Sequence, residues 1–174
     1  GQVVAERANG LKMRTIVYDP FVSEDAMAKK GAEKVSLNQL LEQSDYISIH
    51  TPLSRETKNL LNKRTFQKMK KGVRIINCAR GGIVNEKDLF TAIKQGIVAG
   101  AALDVFEKEP PGDHPLFALD EVIVTPHLGA STRQAQAKVA VAIATQVKEY
   151  LENGTIKNAV NVPSVSTEIL DQVK

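Results

Sequence analysis

The run VRIINCA at 73–79 constrains the fold of this chain most. It is almost continuously apolar, the pattern of a strand buried on both faces. Such strands belong to parallel sheets covered by helices above and below. Further strands are expected at RTIVY (14–18), DYISIH (45–50), VAGAALDVF (98–106) and EVIVT (121–125). In DYISIH, Ile47 and Ile49 share one face. Capped helical segments separate these runs. Most of Gly1 to Asn9 reads as a helix with Gly10 as its stop. Ser23 caps a segment through about Lys30, ended by Gly31, and Ser36 caps LNQLLEQ. A helix near 62–70 is stopped by Gly72, and Asn85 caps EKDLFTAIKQ, ended by Gly96. Ser131 or Thr132 caps a long helix to Asn153, with Gly154 after it. Alternation of this kind predicts right-handed crossovers and an α/β, doubly wound parallel sheet. The small-residue stretch AGAA (99–102) leaves room for a close neighbour, helix or ligand. The Ala- and Val-rich arc of the last helix is expected to pack along most of its length.

Composition narrows the function. With 174 residues, the chain is long enough for one domain with a true core. The net charge of +3 is small and the lysines are dispersed, which argues against a nucleic-acid partner. A single cysteine, Cys78, excludes an internal disulfide and a cysteine-based zinc site, so no metal is expected. No apolar stretch is long enough to span a bilayer and no signal peptide is visible, so a cytoplasmic location is expected and no membrane partner. The chain opens on GQVVAERANG without Met and is expected to be a piece of something longer.

Three residues sit just past strand ends: Arg80 after VRIINCA, Glu109 after AGAALDVFEK, and His127 after EVIVTP. Ligands of open parallel sheets bind outside the carboxyl ends of the strands. A cation, a carboxylate and an imidazole there suit a carboxylate-bearing substrate whose hydroxyl loses a proton. Taken singly, each has a plainer reading: Arg80 a surface arginine, His127 a loop or capping histidine, Glu109 a solvated acid like its neighbour Glu107. Asp19 closes the strand RTIVY about 20 positions after Gly1. That is the Rossmann spacing of an acid that bonds the adenosine ribose, if Gly1 is the last glycine of G-x-G-x-x-G. The sheet would then be of Rossmann type, truncated at its N-terminus before the first strand and its glycine turn. On spacing alone, a packing Gly1 and a turn-forming Asp19 are the commoner reading.

The segments VYDP, HTPL, NCARGGIVNE, GAALDVFEKEPP and TPHLGAST resemble the D-isomer-specific 2-hydroxyacid dehydrogenase family, from Gly1 to about Pro163. The pair NCARGG and PHLGAST is most like the members that oxidise 3-phospho-D-glycerate to 3-phosphohydroxypyruvate, the entry to serine synthesis. The resemblance implies NAD as cofactor and a small 2-hydroxy acid as substrate. By matching motif, Arg80 grips the substrate carboxylate, His127 is the acid/base, and Glu109, the acid directly before proline, orients His127. Cofactor contacts are implied at Asp19, Thr51, Cys78, Ala79, Arg80, Asp104, His127, Gly129 and Ala130. Asp104 has a second reading as a cap at the strand end. Cys78 is expected to be a small buried residue, not a nucleophile.

The resemblance also implies an NAD-binding domain over 1–130 and a long crossover helix and tail over 131–174. A homodimer or tetramer is implied, with the helix 132–153 as candidate interface. Half of the substrate domain is missing in this reading, so the 174 residues alone are expected to turn over poorly. Three alternatives stay open. One is another D-2-hydroxyacid dehydrogenase or a glyoxylate/hydroxypyruvate reductase. The others are an NAD-sensing corepressor-like binding protein and a structural or regulatory remnant.

Overall fold

The computed structural model describes residues 1–161. Two parallel sheets carry the fold. One pairs β1 (Ile16–Val17) with β2 (Glu33–Lys34), and the other has the order β3 (Tyr46–Ile49), β4 (Val73–Asn77), β5 (Val98–Leu103), β6 (Val122–Val124). The helices are α1 (Gln2–Gly10), α2 (Glu24–Ala28), α3 (Leu37–Gln43), α4 (Lys63–Phe66), α5 (Glu86–Lys94) and α6 (Arg133–Asn153). The chain divides into two compact units, Gly1–His127 and a second starting at Leu128.

Register brings the apolar rows together: Ile47 lies opposite Ile75, and Ile75 opposite Ala101. Leu41, Val73, Ile75, Ile83, Leu89 and Leu116 are fully buried in one core. Each such side chain contributes about 1.5–3 kcal/mol on transfer from water. The capping signals act where the sequence places them. Ser36 and Gln39 form a reciprocal box at α3, Asn85 accepts from the Asp88 N–H at α5, and Thr132 is the residue that caps α6. Gly154 ends α6 in the left-handed region at φ +71°.

The structure departs from the sequence reading in several places. Gly10 lies inside α1 rather than after it, and the chain turns at Leu11 and Lys12, the latter at φ +60°. A Cβ at Gly10 would meet nothing within 4 Å. Gly10→Ala is therefore expected to stabilise the protein by about 0.5 kcal/mol, through lower unfolded-state entropy. A thermal melt checks it. The helix expected at 62–70 is only Lys63–Phe66. Lys70 leaves the helix to donate its N–H to the Leu41 carbonyl, which seats Met69 in the core. The two-residue β2 was not expected. Its charges hid it from an apolar pattern, and the Arg14–Glu33 ion pair at 2.7 Å ties it to β1. In AGAA, a Cβ at Gly100 would lie 3.2 Å from the Glu121 carbonyl, so the close neighbour within the chain is the residue that leads into β6. No residue of α6 is buried: Val139, Val141 and Ile143 stand more than half exposed. No described helix is long and apolar enough to cross a membrane.

Candidate active site

Hydrogen-bond pairing of β4 stops at Asn77, and the next residues turn across the carboxyl edge of the sheet. Asn77 is buried and holds that turn from beneath. Its Oδ1 accepts the Ala79 N–H at 3.1 Å, and its Nδ2 donates to the Arg80 carbonyl at 3.0 Å. The sequence reading missed Asn77 as a site residue. An amide among the apolar residues of VRIINCA was the signal available.

Arg80 emerges from this turn exposed, with Nη1 donating to the Ala79 carbonyl at 2.6 Å. A crevice of about 340 Å³ opens beside it, lined by Gly1, His50, Thr51, Pro52, Cys78, Ala79 and Arg80. Four of the expected cofactor residues, Thr51, Cys78, Ala79 and Arg80, thus share one cleft. His50 joins them unforeseen, and burial lowers its pKa from the ordinary value. Cys78 is exposed rather than buried, because it lies one residue beyond the paired strand. Although the residue is exposed, partial desolvation of its sulfur, and then the Asp104 charge, pushes the thiol pKa up, so it is a poor nucleophile.

The second half of the site follows β5 and β6. Glu109 Oε1 accepts the Phe106 N–H at 3.0 Å, and Oε2 lies 2.7 Å from His127 Nδ1. A carboxylate there selects the tautomer protonated on Nδ1, which places the lone pair on Nε2. These contacts hold the Glu109 carboxyl below the ordinary carboxylate range. The His127 hydrogen bond is the main cause and the Phe106 N–H the next. His127 itself stands at φ +56°, in the left-handed region that costs a side-chain-bearing residue roughly 1–2 kcal/mol. Strain of this kind gathers at functional positions. Glu107 makes no such pairing and faces Lys58 at 3.9 Å, so the two neighbouring acids are distinguished by geometry.

What joins the two halves is Gly81. A Cβ there would fall 1.8 Å from the Phe106 carbonyl oxygen, so the turn bearing Arg80 lies directly against the loop bearing Glu109.

The remaining expected residues are dispersed. Asp104 is buried and accepts the Thr125 hydroxyl, a link between the ends of β5 and β6. Asp19 follows β1, and its Oδ1 accepts the Phe21 N–H at 2.8 Å. Neither lines the crevice. Gly129 and Ala130 belong to the second unit, in a turn where the Ser131 N–H meets the Leu128 carbonyl at 2.9 Å. Among the described residues no cluster of His, Cys, Asp or Glu gathers that could hold a metal ion.

The crevice lies where open parallel sheets bind ligands. It lies at the carboxyl edge, beside the N-terminus of α1, and Gly1 presents bare backbone there: a Cβ would sit 3.3 Å from His50.

Comparison with known proteins agrees. The profile of the D-isomer specific 2-hydroxyacid dehydrogenase NAD binding domain matches residues 1–129. D-3-phosphoglycerate dehydrogenase of Bacillus subtilis is 46% identical over 174 residues, covering all of this chain and 33% of its own. That of Archaeoglobus fulgidus is 48% identical over 166 residues, covering 95% of this chain and 32% of its own. This chain therefore spans about a third of the length of the curated relatives it matches. Among solved structures, a glyoxylate reductase from Paecilomyes thermophila superposes with a TM-score of 0.84 at 31% identity, over 92% of this chain and 49% of that one. A D-lactate dehydrogenase from Aquifex aeolicus, complexed with NAD and lactic acid, gives 0.78 at 32% identity, over 88% and 51%.

Proposed function

From the premise that the chain belongs to the D-isomer specific 2-hydroxyacid dehydrogenases and carries their NAD-binding domain over residues 1–129, we propose that it serves the oxidation of 3-phospho-D-glycerate to 3-phosphohydroxypyruvate. The observation that carries the reading is the 2.7 Å pairing of His127 Nδ1 with Glu109. It supplies an oriented base held by a loop that packs against the turn bearing Arg80. The 42–48% identity to phosphoglycerate dehydrogenases favours this substrate over other 2-hydroxy acids.

NAD, when bound, supplies the acceptor for the hydride that leaves C2. Gly1, Thr51 and the backbone of Cys78 and Ala79 would hold it along the crevice. Arg80 grips the substrate carboxylate, where a planar guanidinium fork fixes the plane of the acid. His127 Nε2 takes the hydroxyl proton as the C2–H bond breaks and the C2–O bond becomes a carbonyl. The imidazolium that forms is stabilised by Glu109. Arg80 and the imidazolium together offset the charge that develops on the oxygen.

The test is turnover by the intact protein with a panel of D-2-hydroxy acids, followed by absorbance of reduced nicotinamide. Highest kcat/KM for 3-phospho-D-glycerate supports the reading. A preference for D-lactate or for the glyoxylate couple replaces the substrate, and no turnover with any of them overturns the reading. Asp19 adds a second check. If it faces the adenosine ribose, its charge disfavours a 2′-phosphate. Asp19→Ser is expected to raise the NADP-to-NAD affinity ratio at least about tenfold. Fluorescence titration with both nucleotides measures it.

A further inference from the structure

A second imidazole–carboxylate pair, Glu86 with His114, bonds the same loop as the first. Glu86 is the first residue of α5, where an acid ordinarily serves the helix dipole from the surface. Here its side chain is only 15% exposed and both of its oxygens are engaged. Oε1 accepts the Glu107 N–H at 2.7 Å, and Oε2 lies 3.0 Å from His114 Nε2. His114 caps the 3-10 turn Pro115–Ala118, its Nδ1 accepting the Leu116 N–H at 3.3 Å. With Nδ1 accepting, the ring proton is on Nε2 and is donated to Glu86. The Phe106 ring stands 5.5 Å from both His114 and Phe117, the latter edge-on.

Two consecutive amides of one loop therefore donate to two different carboxylates. The Phe106 N–H goes to Glu109, and the Glu107 N–H goes to Glu86. The loop is fixed at one amide by Glu109, the exposed residue that meets His127, and at the next by the more buried Glu86 of α5. We propose that Glu86 and His114 are positioning residues: they hold the Glu109 loop in place and thereby set the aim of the His127 ring.

The inference rests on the acid/base reading of His127, yet its structural half can be tested apart from turnover. Two conservative variants of the intact protein serve. Glu86→Gln keeps the size of the side chain but must leave one of its two donors, the Glu107 N–H or the His114 Nε2–H, facing an amide nitrogen. His114→Asn keeps an oxygen to cap the 3-10 turn but is too short to reach Glu86. The first readout is the titration midpoint of the Glu109 carboxyl carbon by NMR. Loosening the loop weakens the two hydrogen bonds that hold this group low, so the midpoint is expected to rise by about half a unit or more in both variants. The second readout is kinetic. A misaimed base is expected to lower kcat about ten- to a hundredfold, with KM for NAD within about twofold of the parent. The double variant should be no worse than the poorer single, because the two residues act as one unit.

An unmoved Glu109 midpoint in either folded variant overturns the proposal, as do losses that multiply in the double variant. Should Glu86→Gln fail to fold, His114→Asn alone carries both readouts. A parent that turns over no 2-hydroxy acid removes the catalytic reading, and the NMR midpoint still decides whether the pair positions Glu109.

Discussion

Gly81→Ala is expected to separate the two halves of the site. The Cβ it introduces would lie 1.8 Å from the Phe106 carbonyl oxygen, 2.1 Å from its carbon and 2.6 Å from the Glu107 nitrogen. All three are backbone atoms, so no rotamer change relieves the clash. One of two segments must move. The Arg80 turn is held by buried Asn77, and the 106–107 loop by Glu86 and Glu109. Overpacking in a closed site costs about 1–3 kcal/mol, and rigid partners put this position at the upper end. Urea denaturation should show that loss, and NAD affinity should fall with it. Gly96→Ala is the control. Its Cβ meets nothing within 4 Å, so only the left-handed φ of +69° acts, at about 1 kcal/mol. Equal stability losses in the two variants would falsify the steric account.

His127→Asn is expected to lower kcat of the intact protein by about a thousandfold with little change in stability. Asparagine is chosen because it tolerates the left-handed backbone that His127 occupies at φ +56°. The loss is then one of chemistry, since asparagine cannot take a proton. Glu109→Gln should cost less, because it leaves the base present but poorly oriented. It should also change the acid side of the pH profile. The Glu109 carboxyl titrates below its ordinary value, held there first by His127 and then by the Phe106 N–H. Its contribution is complete above the ordinary carboxylate value of about 4.3 and is lost as pH falls through the lower folded value. In Glu109→Gln that acid-side loss disappears. Equilibrium unfolding between about pH 2 and pH 5, with and without the substitution, measures it. Identical acid profiles would show that the Glu109 carboxyl titrates alike in the folded and unfolded states, so that its contacts do not hold it low.

Much of the site was legible because it lies at strand ends. The strand period and the glycine and cap signals are local, and they placed Arg80, Glu109 and His127 beyond the edges of β4, β5 and β6 without reference to the rest of the chain. Glu109 could be separated from Glu107 only by its position before proline, and the 2.7 Å contact to His127 supports that choice. Asn77, Glu86 and His114 were not singled out, although an amide within the apolar run VRIINCA marked the first. Each makes its contacts with residues distant in sequence or across a turn, and each has an ordinary local reading: a strand amide, a first-turn acid, a residue before proline.

Sequence by itself determined the class of the fold and placed the candidate groups at its edge, since hydrophobic period, capping and residue type are read from neighbours along the chain. Tertiary structure alone decided which of those groups meet. Gly81 gained its meaning from a carbonyl 25 residues away, Glu86 from an amide 21 residues away, and the surface exposure of Cys78 from where the pairing of β4 ends. Packing distance has no period in a sequence, so contacts of this kind emerge only when the sheet has folded.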